Sequence, residues 1–160
     1  MSSFFRKAYS VVGLLLVLEF LTQFYVIAAA FFTIAAKSDP ATPAEVIKKA
    51  VSDADAYVGV HALNGTLAIP ITMLVLIGLS FGARYPWKTT GLTALLFLLL
   101  VVQVVLAFAG GGGFAAVAGL HGINALILTG LGIYLLLRNW AFRRQAAPAA
   151  AVPAASTPGS

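Results

Sequence analysis

Gly59-Val60-His61-Ala62-Leu63-Asn64-Gly65 and Gly119-Leu120-His121-Gly122-Ile123-Asn124-Ala125 decide how this chain is read. Both stretches follow G-[VL]-H-x-x-N-[GA], and both lie within apolar sequence. They hold the only two histidines among the 160 residues. Histidine and asparagine are costly inside an apolar segment, so a matched pair of such motifs points to an internal repeat. Upstream of each motif, Gln23 and Gln103 align, each followed by an apolar run rich in alanine. The repeating unit is then a two-helix hairpin, present twice, with a longer connection in the first copy.

Composition sets the environment of these hairpins. The chain is 61% hydrophobic and 9% charged, too few charges for a soluble domain of this length. A bilayer core of ~30 Å needs about 20 apolar residues in a helix. Four stretches meet this, roughly 11–36, 57–82, 89–109 and 115–137. Backbone at that depth must satisfy its own hydrogen bonds, which makes helices the default. The expected fold is an all-α membrane domain over residues 1–144, a four-transmembrane-helix bundle built from two repeated hairpins. The first apolar run follows Arg6 and Lys7 as a signal peptide would. It is too long for an h-region, however, and Lys37-Ser38-Asp39-Pro40 is no cleavage site, so it reads as a span.

The basic residues give the orientation. Arg6, Lys7, Arg84, Lys88, Arg138, Arg143 and Arg144 fall on one side; Lys37, Lys48 and Lys49 fall on the other. This positive-inside bias puts both termini in the cytoplasm, N-in/C-in, with Tyr85, Trp87 and Trp140 in the aromatic belt of that face. The net charge of +5 thus reads as topology, and no nucleic-acid partner is expected. In the outer connection, 37–56, Thr42-Pro43-Ala44-Glu45 carries helix-start signals, and Val46, Ile47, Ala50, Val51 and Ala54 recur at helical spacing. The spacing predicts a short amphipathic helix over about 43–55, lying across the outer mouth of the bundle. Gly110 to Gly113 predicts a tight turn, and the Ala/Pro/Ser-rich segment 145–160 predicts a disordered cytoplasmic tail.

Spans two and four run in the same direction, so His61 and His121 lie at similar depth below the outer surface. In a bundle wound in sequence order these spans are diagonal, roughly 11–14 Å apart, and two imidazoles with a metal between them bridge such a gap. Neutral imidazole is an axial ligand of haem iron, and a b-type haem held by two histidines needs no cysteine. The chain has none, which excludes thiolate metal sites and covalent haem attachment. His61 and His121 are the candidate metal ligands. Gly59, Gly65, Gly119 and Gly122 are expected to clear room for a porphyrin. Asn64 and Asn124, one turn along, bond propionates or tie helices, and Gln103 is a further candidate contact. The carbonyls of Tyr57 and Val117 are expected to take the second ring N–H of each histidine, and Lys37, Lys48 and Lys49 to pair with propionates. Other readings stand beside haem. The histidines can be interhelical glue, or they can form a non-haem metal site with Glu19, the only carboxylate inside a span. Glu19 is otherwise expected to bond a Ser or Thr inside the bundle, and Pro70 to kink span two.

Around the two H-x-x-N-[GA] motifs, residues 8–140 resemble a family of small four-span membrane proteins of actinobacteria. That resemblance implies a bacterial cytoplasmic membrane. From Gln103-Val104-Val105-Leu106 through Gly119-Leu120-His121, the chain is also distantly similar to one four-helix half of haem A synthase. That family carries paired haem-ligating histidines on the second and fourth spans, which implies the same role for His61 and His121. The chain departs from the family in having one half instead of two, and Tyr57 and Val58 stand where the family has a glutamate. Haem binding carries over; haem A synthesis does not.

The expected function is therefore that of a membrane haem b protein in electron transfer or haem handling, with no catalytic residues assigned. A quinone, another membrane redox protein or a second copy of the chain would be its partner. The alternative is a cofactor-free accessory subunit of a membrane complex. A transporter is disfavoured by the absence of a midplane charge pair, and phosphate-loop, dinucleotide-binding and hydrolase motifs are absent.

Overall fold

The computed structural model describes residues 2–111, 113 and 115–142. Arg143, Arg144 and the expected tail, 145–160, lie outside the described residues, as does Gly112 of the glycine turn. The described residues form helices and turns, with no strand among them. The helices are α1 (Ser2–Ala35), α2 (Ala44–Leu63), a π turn (Asn64–Ala68), α3 (Ile69–Gly82), α4 (Trp87–Gly111) and α5 (Ala115–Arg138). Four helical runs are long and apolar enough to cross a membrane, and α2, the π turn and α3 form one of them. Each run packs against its neighbours in chain order, and α1 closes the ring against α5. Spans two and four are therefore diagonal, as the order of the hairpins predicts.

Two elements differ from the sequence expectation. The first span begins at Ser2 rather than near residue 11, because Tyr9 and Ser10 are themselves buried and continue the packed face of α1. The separate amphipathic helix over 43–55 does not form. Its residues are the first turns of α2, which runs unbroken into span two. No proline interrupts 44–63, and Ala50 and Ala54 bury against α1 while Val46 and Val51 stay exposed. The small apolar face thus pairs with the end of α1 and does not lie over the bundle mouth. Thr42 does not cap the helix; Pro43 holds the N-cap position and makes no side-chain capping bond. From Ala44 to Gly82 the run has 39 residues, about 58 Å at 1.5 Å each, so its first part leaves a ~30 Å hydrocarbon layer.

The π turn has a local cause. Pro70 has no N–H to give to the preceding turn, and its ring crowds the carbonyl four residues back. Just before it, Ile69 N–H reaches Asn64 O, a bond spanning five residues, which accommodates one extra residue in the turn. The registers of the two hairpins reflect this. His61 and His121 are 60 residues apart, whereas the buried pairs Ile69 and Leu128, and Leu76 and Leu135, are 59 apart. On α1 and α4 the buried positions Tyr9, Ser10, Leu16 and Phe20 stand 80 residues before Thr89, Thr90, Leu96 and Leu100, all buried too.

The end of the bundle holding both Ser2 and Arg138, here the terminal end, is tied shut. Tyr9 Oη and Thr93 Oγ1 are 2.8 Å apart, and Ser10 Oγ donates to Asn139 O at 3.1 Å and accepts from Ala141 N–H at 2.9 Å. Tyr85 stacks edge-on to Tyr9 at 5.0 Å, and Arg6 lies over the Tyr85 ring at 5.4 Å. Burial pushes the Tyr85 hydroxyl above its ordinary pKa, and the nearby Arg6 charge partly opposes this. The turn that presents Tyr85 ends α3 with Arg84 in the left-handed region (φ 53°), followed by Tyr85 N–H to Ser80 O and then Pro86. At the other, distal end, α4 and α5 meet at the glycines. Gly113 takes φ 96°, and a side chain at Gly110 would stand 3.0 Å from Ala118 Cα, so the two helices approach at contact distance.

Candidate cofactor cavity

The distal half of the bundle is hollow where the terminal half is packed. A cavity of about 490 Å³ is lined by residues of all four spans. From α1 come Phe20, Gln23, Phe24 and Ile27; from α4, Leu100, Gln103, Val104 and Ala107. Both sets follow one helical face at i, i+3, i+4 and i+7, and they are the same positions 80 residues apart. His61, Ala62 and Gly65 line the cavity from span two; His121, Gly122 and Ala125 line it from span four. The volume falls in the range of sites that bury small molecules and cofactors, ~300–1,000 Å³.

The two histidines face each other across this space. Their ring centroids are 6.2 Å apart and their planes cross at 63°. Two imidazoles on one metal along a common axis have centroids roughly 6.3 Å apart, for metal–nitrogen bonds of ~2 Å and ~1.15 Å from nitrogen to ring centre. Among the described residues no group of three or more His, Cys, Asp or Glu side chains gathers around a metal position. The non-haem alternative with Glu19 as a third ligand is therefore not formed. Thr72 Oγ1 instead donates to Glu19 Oε1 at 2.9 Å, the Thr partner expected from the sequence.

The surroundings of the histidines differ. Around His121 the hydrogen bonds close on themselves. Asn124 Nδ2 donates to Leu99 O at 2.9 Å and to Gln103 Oε1 at 2.7 Å, which fixes the Gln103 amide. Gln103 Nε2 then lies 3.1 Å from His121 Nε2, and His121 Nδ1 lies 3.0 Å from Gln103 O. A carbonyl can only accept, so Nδ1 carries the proton and Nε2 holds the lone pair. That is the tautomer a metal ligand needs. The acceptor is not the expected Val117 carbonyl, since the carbonyl one turn back in a helix is occupied by the main chain and points along the axis.

His61 has no such frame. Its Nδ1 is buried without a hydrogen-bond partner, so the expected bond to the Tyr57 carbonyl is not formed; Nε2 is neither sealed nor hydrogen-bonded. The neighbouring Gln23 uses Nε2 to donate to His61 O at 3.2 Å, leaving its buried Oε1 unpartnered. Glu19 Oε2 is unpartnered as well. Asn64 Nδ2 donates to Glu19 O at 3.3 Å, matching the bond from Asn124 to Leu99 O in the other hairpin.

Of the residues expected at the site, the fold brings His61, His121, Gln103, Gly65 and Gly122 to the cavity. A side chain at Gly122 would enter open space, and one at Gly65 would meet Gln23 at 3.7 Å. Gly59 and Gly119 do not line the cavity, because two residues along a helix turn about 200° from the histidine. Asn64 and Asn124 do not line it either and serve as interhelical ties. Lys48 is 13 residues before His61, roughly 20 Å up the helix, and Lys49 is paired with Asp53 at 2.9 Å. The fold does not bring these lysines to the cavity, and Lys37 stands 14 residues after Gln23, in the turn beyond the end of α1. Phe20, Phe24, Thr66 and Phe108 line the cavity without having been singled out. The i, i+3, i+4 spacing of Phe20, Gln23 and Phe24 is the signal for the first two. No family model, curated protein or solved structure matches the chain.

Proposed function

We propose that this membrane protein binds haem b in its distal cavity, where His61 and His121 would hold it, and that it serves in electron transfer or haem handling. The observation that carries this reading is the 6.2 Å separation of two imidazoles that both line a cavity formed by all four spans. The histidine pair and the apolar lining fit the group. His121 already has its lone pair on Nε2, fixed by the Gln103 carbonyl, and His61 has a ring nitrogen free of any hydrogen bond. Phe20, Phe24, Ile27 and Phe108 would exclude water from the faces of a porphyrin. Bound there and held by two histidines, the haem would supply one-electron chemistry, which favours electron passage over oxygen chemistry.

The matching registers of α1 with α4, and of span two with span four, support a hairpin present in two copies. In this reading the terminal end is cytoplasmic, because Arg6, Lys7, Arg84, Lys88 and Arg138 gather there. The haem then lies toward the outer face of a bacterial cytoplasmic membrane. From one face it cannot carry electrons across, so a quinone, a second membrane redox protein or another copy of the chain completes the path. The test is a reduced-minus-oxidised spectrum of detergent-purified protein from haem-supplemented cells. A Soret band lost or shifted in both His61→Ala and His121→Ala is expected. Absence of a Soret band, or one intact in both variants, refutes the proposal.

One observation favours a second reading, a cofactor-free accessory subunit. The Asn124–Gln103–His121 network is complete with protein partners alone. Co-purification with a larger membrane complex, without pigment, would support it.

A further inference from the structure

We propose that ligation in the cavity is ordered: His61 takes the iron first, and His121 joins only when the Gln103 side chain releases its Nε2. The inference rests on the bis-histidine reading above and concerns how that site is loaded.

The two rings start from different positions. His61 has no side-chain hydrogen bond to break before its Nε2 can coordinate. His121 is held twice by one residue, through Nδ1 to Gln103 O at 3.0 Å and through Nε2 to Gln103 Nε2 at 3.1 Å. The first bond persists in the loaded state, because it keeps the proton on Nδ1 and the lone pair on Nε2. The second cannot persist, because the amide N–H occupies the lone pair that the metal needs. Asn124 opposes release by anchoring Gln103 Oε1 at 2.7 Å. Gln103 is thus a positioning residue with two opposed effects: its carbonyl prepares His121 and its side chain withholds it. The equivalent glutamine of the first hairpin, Gln23, bonds the His61 carbonyl and leaves the ring free.

The order is tested by titrating haem into the purified full-length apoprotein in detergent, following the absorption spectrum at equilibrium and by stopped flow. The wild type should load in two phases, with a high-spin spectrum in the first and a low-spin spectrum in the second. His121→Ala should still bind haem, arrested in the high-spin form, whereas His61→Ala should bind at least about tenfold more weakly than His121→Ala. Gln103→Leu should keep the low-spin spectrum, lose the lag between phases and bind about threefold to thirtyfold tighter, the strength of one interhelical hydrogen bond. Gln103→Ala, which also removes the amide without adding bulk, should move in the same direction. Equal weakening by the two histidine substitutions, a single phase in the wild type, or unchanged or weaker binding in both Gln103 variants overturns the ordered scheme while leaving bis-histidine binding intact. No Soret band in the wild type overturns both.

Discussion

The two hairpins share a plan and differ at its centre. In α4–α5, Gln103, His121 and Asn124 satisfy one another; in α1, α2 and the π turn, the equivalent Gln23, His61 and Asn64 leave Gln23 Oε1 and His61 Nδ1 unpartnered. Around them the pattern is shared: Asn64 bonds Glu19 O as Asn124 bonds Leu99 O, and Leu16 and Phe20 are buried like Leu96 and Leu100. The differences cluster around three features of the first hairpin: Glu19 where the second has Leu99, the π turn before Pro70, and the longer connection at the distal end. Two hairpins of one plan can thus hold one histidine back and leave the other open, without changing how the helices pack.

Substitutions made in pairs test where the likeness ends. The largest effect is expected in the shared core: Leu16→Ala and Leu96→Ala should each lower stability by about 2–5 kcal/mol, and by similar amounts, since both leave a cavity at equivalent buried positions. Thermal unfolding in one detergent checks this, and a cost confined to one hairpin would break the equivalence. A smaller effect should separate the asparagines. Asn124→Leu removes bonds of 2.9 and 2.7 Å and should cost about 1 kcal/mol; Asn64→Leu removes one of 3.3 Å and should cost about half that. The reverse ranking in the same assay would show that the first hairpin carries more of the polar tie than its geometry indicates. The smallest effect belongs to Glu19→Leu, which gives the first hairpin the residue of the second. It loses the Thr72 bond but also removes a buried unpartnered oxygen, so stability should change by no more than about 0.5 kcal/mol. A loss above about 2 kcal/mol would make Glu19 a structural requirement of that hairpin.

Much of this arrangement is legible in the sequence, because bilayer thickness and hydrogen-bond satisfaction leave few choices. Four apolar runs give four spans, and chain order places spans two and four on the diagonal with His61 and His121 at one level. What sequence leaves open depends on rotation and on competition for partners. Ala50 and Ala54 form an apolar face whether it meets lipid headgroups or α1, and only the packing decides for α1. Gly59 and Gly119 adjoin the histidines in sequence but lie on another face. Pro70 announces a disturbance, while its form as a π turn follows from keeping both His61 and Ile69 inward. The asymmetry of the histidines could not be read from two nearly identical motifs, since it resides in which donor each glutamine meets.

The central claim, that His61 and His121 together hold one haem, is tested most directly by low-temperature electron paramagnetic resonance of the oxidised, haem-loaded protein in detergent. The account predicts the low-spin signal of iron between two imidazoles, converted to high spin by His121→Ala and absent from the His61→Ala, His121→Ala double variant. A low-spin signal that survives in the double variant, or wild-type protein that takes up no haem, would contradict it.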